Sequence, residues 1–212
     1  MVAGGCSLPP RTPGERSRSS RQYSKVGSSM TGTLDLIEEV ETATKARYQG
    51  DLLRSLFRGT MQPMPAVAVG QSLPTMEIKR FFSEVGVKYM FDVTVTGVEG
   101  VYGGEWLYDL AWHSQSGGLY RRQALVLESE MWLGKVAQSD QVNGDFHKLV
   151  QARADIRVWA VAIATSELLS KHLENCKRQI DAFRQGERDD YYLFILFDWS
   201  SGKTTVVGYR RP

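Results

Sequence analysis

The sequence predicts an α/β protein with a mixed β-sheet flanked by helices. Between residues 88 and 132, three strand-length segments rich in β-forming residues follow one another across glycine-containing turns, a pattern typical of an antiparallel meander. The largely apolar segments 156–163 and 190–199 are typical of strands that are buried on both faces. Because a helical pattern precedes each of these two segments, they indicate parallel strands joined by crossover helices.

Helical periodicity characterises the chain from residue 33 to residue 85. Apolar residues recur at helical spacing from Leu36 to Ala43, and Asp51 is placed to cap a short second helix. A third helix is predicted over residues 75–85, with Gly86 at its end.

The meander and the segments after it complete the predicted order of elements. The three strands are predicted at 88–96, 105–113 and 120–132, with turns at 97–104 and 114–118. A helix over 140–153, a helix capped by Ser166 and a last strand over 204–209 are predicted around the two apolar segments. Asp109 then lies near the middle or end of the second strand.

Length and composition predict one folded domain with a separate N-terminal segment. Residues 1–30 carry five Lys or Arg residues and one acid, so subtraction from the totals of 26 and 24 leaves 21 basic and 23 acidic residues. Serine, glycine and proline dominate that segment, which favours a disordered basic tail over residues 1–31 and a single domain over residues 32–212. Met30 is an alternative start.

The remaining composition indicates a cytoplasmic protein without a membrane partner. No apolar segment approaches the ~20 residues that a membrane-spanning helix needs. The two cysteines, Cys6 and Cys176, lie far apart and provide neither a disulfide framework nor a zinc site. The near-neutral folded part lacks the strong basic charge that many nucleic-acid-binding domains carry.

Three carboxylates near predicted strand ends form the most informative pattern in the chain. Glu128 and Glu130 are two residues apart, so a strand directs both side chains to the same face. Like charges at the end of a buried strand are costly unless a cation lies between them. With Asp109 from the neighbouring strand, they form a plausible site for a hard divalent metal ion.

This pattern resembles the PD-(D/E)xK, or restriction-endonuclease-like, nuclease superfamily. The resemblance covers roughly residues 75–165, in the order α-β-β-β-α-β, with additional N-terminal helices and a C-terminal α-β-β segment. It implies a restriction-endonuclease-like mixed β-sheet with an acid on one strand and a Glu-x-Lys motif on the next. In this chain Glu128-Ser129-Glu130 replaces Glu-x-Lys, as in a minority of the restriction enzymes in that superfamily.

The resemblance implies a metal-dependent phosphodiester hydrolase, with DNA as the expected substrate. Asp109, Glu128 and the backbone carbonyl of Ser129 would bind Mg²⁺ or Mn²⁺, and Glu130 would orient water or hold a second metal ion. On the helix that follows, Lys148 would replace part of the missing motif lysine. Gln151, one turn further on, would orient water or bind phosphate.

Weaker expectations and alternatives remain open from the sequence. Trp132, Arg121 and Arg122 are candidate nucleic-acid contacts, and the apolar faces of the helices over 33–58 suggest a possible homodimer. A catalytically inactive protein of the same fold, binding nucleic acid or a protein partner, is the first alternative. The second is an unrelated α/β protein whose acids are ordinary solvated side chains.

Overall fold

A computed structural model describes residues 32–60, 73–98, 107–131 and 144–212, which form five helices and six strands. The predicted N-terminal tail, most of the predicted turn over residues 97–104, and Trp132 lie outside the described residues. The helices are α1 (Thr33–Tyr48), α2 (Leu52–Thr60), α3 (Leu73–Lys88), α4 (Gly144–Gln151) and α5 (Ser166–Ala182). The strands are β1 (Asp92–Val95), β2 (Leu110–Ser116), β3 (Leu119–Glu130), β4 (Ile156–Ile163), β5 (Tyr191–Asp198) and β6 (Lys203–Arg210).

The strands form one open, mixed sheet in which their spatial order is the same as their order in the chain. The β1–β2 and β2–β3 pairs are antiparallel, the β3–β4 and β4–β5 pairs are parallel, and β5–β6 is antiparallel. Helices α4 and α5 make the two parallel crossovers. The predicted α/β class, the meander and the mixed sheet are therefore confirmed.

The β2–β3 hairpin differs from its predicted form in a way that moves Asp109. Strand β2 begins at Leu110 and continues to Ser116, so the turn is only Gly117–Gly118. Both glycines have positive φ, 61° and 74°, as a tight two-residue hairpin turn requires. Asp109 thus lies immediately before β2, and its predicted position in the middle or at the end of the strand was wrong.

Helix α3 continues beyond Gly86, where the sequence pattern predicted its end. Met90 adopts φ 61°, its N–H donates to the Val87 carbonyl, and the Phe91 N–H donates to the Gly86 carbonyl. These two bonds around a left-handed residue form a Schellman motif. The left-handed conformation of Met90 therefore ends the helix. Gly86 lies inside the helix, on the side that faces the sheet.

Helix α5 also begins slightly differently from its prediction. The side chain of Thr165 accepts a hydrogen bond from the Leu168 N–H at 3.3 Å, so Thr165 is the N-cap. Ser166, the predicted cap, instead donates its hydroxyl hydrogen bond to Asp198. No helix in the described part of the chain has the length and apolarity needed to cross a bilayer.

Helices cover both faces of the sheet, and each strand residue faces one of two cores. Leu127 belongs to the core shared with α1, α2 and α3, whereas Val126 belongs to the core shared with α4 and α5. Because side chains alternate along β3, Glu128 points toward the α4 face and Ser129 toward the α3 face. The end of β3 therefore presents groups to helices on both sides.

Candidate functional site at the start of β2 and the end of β3

Backbone pairing places Asp109 beside the end of β3. Leu110 is opposite Leu127 in the antiparallel register, so the residue before β2 lies next to the residues that follow Leu127. Oδ2 of Asp109 accepts a hydrogen bond from the Ser129 N–H at 2.8 Å. The predicted proximity of Asp109 to the Glu128–Glu130 segment is therefore present.

A buried lysine from α3 forms an ion pair with Asp109. Nζ of Lys79 lies 3.1 Å from Oδ1 of Asp109, and the Lys79 side chain is fully buried. This contact lacks hydrogen-bond geometry, and Nζ has no hydrogen-bond partner among the residues that the structure describes. The carboxylate of Asp109 is therefore what compensates a charge that burial would otherwise make very costly.

Glu128 is paired with a different lysine, which approaches from the other face of the sheet. It is only 5% exposed, and its Oε1 lies 3.2 Å from Nζ of Lys148 on α4. The same ammonium lies 2.7 Å from Oδ1 of Asp145, one turn earlier in α4. Lys148 thus joins a buried carboxylate to one closer to solvent.

The electrostatic balance at Glu128 favours its neutral form. Burial raises its pKa, the charge of Asp109 raises it further, and Lys148 opposes both, with a net value of about 8. The hydrogen bond to Asp145 is the main cause of a raised pKa at Lys148. Burial raises the pKa of Tyr108, and the charge of Glu128 raises it further. Tyr108 therefore interacts electrostatically with the same site. Near neutral pH, this cluster contains an acid that can exchange a proton.

The structure does not bring all of the predicted site residues together at one point. The described residues include Asp109, Glu128 and Glu130, yet within them no group of three or more His, Cys, Asp or Glu side chains is placed to hold a metal ion. Glu130 is partly buried, on the same face as Glu128. Gln151, the last residue of α4, is exposed, and its side chain makes no hydrogen bond within the described part of the chain.

The predicted arginine contacts lie far from the acids. Arg121 and Arg122 are near the start of β3, about 20 Å along the strand from Glu128 at ~3.3 Å per residue. Arg122 pairs with Asp155 and donates to the Thr33 hydroxyl at 3.0 Å. These arginines therefore do not belong to the carboxylate site.

Lys79 and Tyr108 are the members of this cluster that the sequence prediction missed. A helical pattern could have revealed Lys79, because it lies within the inward-facing set of α3. That set consists of Pro74, Thr75, Ile78, Lys79, Phe82, Ser83 and Gly86. A buried lysine within such a helix face requires an anion within contact distance, and Asp109 provides it.

By chemical type, two of the three predicted carboxylates at this site are donors that a divalent cation could use. Asp109 and Glu128 supply hard oxygen donors of the kind that Mg²⁺ prefers. Their mutual repulsion contributes to the raised pKa of Glu128, and a cation between them would remove that repulsion. Lys79 already compensates Asp109, so a cation would share this carboxylate with the ammonium.

Comparison with known proteins leaves the function to be argued from this geometry. No family model, no curated protein and no solved structure matches the chain.

Proposed function

We propose that this protein is a Mg²⁺- or Mn²⁺-dependent phosphodiester hydrolase of the restriction-endonuclease-like type, acting on DNA. The observation that carries the proposal is the juxtaposition of Asp109, Glu128 and Lys148. Asp109 precedes β2 and hydrogen-bonds to Ser129, while Glu128 at the end of β3 contacts the Lys148 ammonium on the next helix. Carboxylates beside a lysine are the groups that this type of hydrolysis uses.

The topology around the cluster supports the same proposal. The elements α3-β1-β2-β3-α4-β4 follow one another with antiparallel, antiparallel and parallel pairing. This is the α-β-β-β-α-β order that the resemblance implies, with Asp109 immediately before its second strand and Glu128 and Glu130 at the end of its third. A fold-level likeness supports a reaction class but does not prove it, so the proposal depends on the side chains.

Each side chain has a definite role in the proposed reaction. Asp109 and Glu128, with the Ser129 carbonyl, would hold the metal ion, which when bound lowers the pKa of its water and neutralises phosphate charge. Lys148 would place a positive charge beside the phosphate undergoing attack. Glu130, on the same face, would orient the attacking water.

A plasmid-cleavage assay with Mg²⁺ or Mn²⁺ tests this function directly. Glu128→Gln and Lys148→Met should each reduce cleavage by about 100-fold or more, since the first removes a proposed metal ligand and the second removes a positive charge beside the phosphate. Glu167→Gln and Lys171→Met are matched controls, because Lys171 and Glu167 form an exposed ion pair on α5, 2.6 Å apart. The controls should cut as the wild type does. Undiminished cleavage by Glu128→Gln would refute the assignment.

A second function, as a non-catalytic binding module of the same fold, is favoured by two observations. The fully buried ammonium of Lys79 already compensates Asp109, and Glu130 stands where the motif has lysine. In this case the wild type would bind a duplex oligonucleotide but would not cut it with either metal. Binding would then be the same in wild type and Glu128→Gln.

A further inference from the structure

A cavity rich in arginine lies at the opposite end of the sheet from the carboxylates. Its volume is about 620 Å³, and it is bordered by the start of α1, the start of β3, the segments before β4 and β5, and the end of β6. Six arginines line it: Arg121, Arg122, Arg153, Arg157, Arg188 and Arg210. Four acids also line it: Asp155, Glu187, Asp189 and Asp190.

The ion pairs within this cavity leave positive charge unmatched. Three of the arginines pair one-to-one with acids: Arg122 with Asp155, Arg153 with Glu187, and Arg157 with Asp190. Arg121 and Arg188 are exposed and form no ion pair within the described part of the chain. Arg210 lies over the Tyr191 ring, 5.1 Å from its centroid. Arg210 also interacts with the charge of Glu41, which lies outside the lining. Two exposed arginines, Arg121 and Arg188, therefore face one remaining acid of the lining, Asp189.

Arg157 is the most deeply placed of the lining cations. It is 3% exposed, and its Nε and Nη2 donate to the Ala152 carbonyl at 3.1 and 2.8 Å. Nη2 also donates to Oδ1 of Asp190 at 3.0 Å. Its Nη1 is buried and has no hydrogen-bond partner among the described residues. A buried donor without an acceptor is costly, so the hydrogen-bonding capacity of this lining cation is not fully satisfied.

We propose that this cavity binds the phosphate group of a small phosphorylated molecule. The planar fork of arginine matches phosphate oxygens, and unpaired guanidinium groups around a concavity concentrate the positive field. A cavity of this volume has the size of a site for a nucleotide-sized ligand. The six arginines line a single cavity and do not form an extended row of positive charge. This arrangement favours a compact ligand over a nucleic-acid backbone.

The test uses calorimetric titration of the full chain with inorganic pyrophosphate in the presence of EDTA, so that no metal ion contributes. We expect one binding site per chain. Arg121→Gln/Arg188→Gln should weaken binding by about tenfold or more. The matched control, Arg178→Gln/Arg184→Gln, removes the same charge from exposed residues outside the cavity and should leave binding unchanged.

A substitution with the opposite charge effect strengthens the test. Asp189 has φ 69° and no ion pair in the described part of the chain, and asparagine tolerates that conformation. Asp189→Asn should therefore tighten pyrophosphate binding. Two results would overturn the inference. In the first, the wild type binds no pyrophosphate at about 10 mM; in the second, both arginine double variants bind pyrophosphate with equally weakened affinity. Binding of a single-stranded DNA oligonucleotide without binding of pyrophosphate would also overturn it.

Discussion

Nζ of Lys79 lies 3.1 Å from Oδ1 of Asp109, and the lysine side chain that makes this contact is fully buried. The contact links α3 to the residue that precedes β2. A second pair, Lys148 with Glu128, approaches the neighbouring strand from α4. Two helices on opposite faces thus bring positive charge to the adjacent acids at this end of the sheet.

Removing one partner of the Lys79–Asp109 pair should destabilise the fold more than removing both. Lys79→Met removes the cation beside the partly buried Asp109 and should lower the free energy of unfolding by about 2–3 kcal/mol. This is less than for a fully buried ion pair, because Asp109 is partly solvated. Asp109→Asn should also destabilise, since it leaves the Lys79 ammonium buried without an anion. Urea unfolding of both single variants and the double variant measures the coupling. Strictly additive effects would contradict a direct ion pair.

Divalent metal should raise the thermal stability of the wild type, because a ligand bound only by the native state stabilises it by mass action. Lys79→Met should show a larger Mn²⁺-dependent rise in Tm than the wild type, since the ammonium no longer shares Asp109. Glu128→Gln should show little rise, because one of the two carboxylates is gone. Differential scanning calorimetry with and without millimolar Mn²⁺ checks this. Equal rises in wild type and Glu128→Gln would place any metal elsewhere.

Stability should fall as pH rises through the range where Glu128 titrates. Its pKa is raised from 4.5 in the unfolded chain to about 8 in the native state, chiefly by burial and then by the charge of Asp109. The native state therefore holds a proton that the unfolded chain has released, and the loss between pH 5 and pH 8 is on the order of 3 kcal/mol.

Glu128→Gln should flatten this pH dependence, because glutamine reproduces the neutral acid. Glu167→Gln is the matched control, since Glu167 is fully exposed and its pKa is lowered by its hydrogen bond to Lys171. Urea unfolding at several pH values measures both variants. The assignment would be wrong if Glu128→Gln kept the slope of the wild type over that range.

Gly86 should tolerate no side chain, because α3 approaches β1 and β2 closely at this point. A Cβ at residue 86 would lie 2.5 Å from Nε1 of Trp112 and 2.8 Å from Cγ2 of Val93. Trp112 cannot easily move away, because its Nε1 donates to the Phe82 carbonyl at 3.0 Å. Gly86→Ala should therefore lower the free energy of unfolding by about 1–3 kcal/mol.

Gly144→Ala provides the control for this substitution. Gly144 is the first residue of α4, and a Cβ there would meet no atom of the described residues within 4 Å. Its free energy of unfolding should be unchanged or slightly raised, since alanine is the better helix former. Equal destabilisation by both substitutions would show that helix propensity, and not the contact with Trp112, decides the effect at Gly86.

The predicted helix end at Gly86 shows why boundaries are harder to predict than elements. Glycine after a helical pattern is a common terminator, and the pattern alone contained no sign that Met90 would adopt the left-handed conformation. Gly86 is instead required by the close approach of Trp112, which lies 26 positions later in the chain. That reason exists only when α3 is packed on the sheet.

Local periodicity by itself determined the order of helices and strands, the buried character of β4 and β5, and the shared face of Glu128 and Glu130. These features depend on residues within one element, whose geometry repeats every 2 or 3.6 residues. Only the tertiary structure decided which cation meets which acid: Lys79 reaches Asp109 from one face, and Lys148 reaches Glu128 from the other. The physical reason is that a buried charge is stabilised by whichever opposite charge the packing of distant elements brings within a few ångströms.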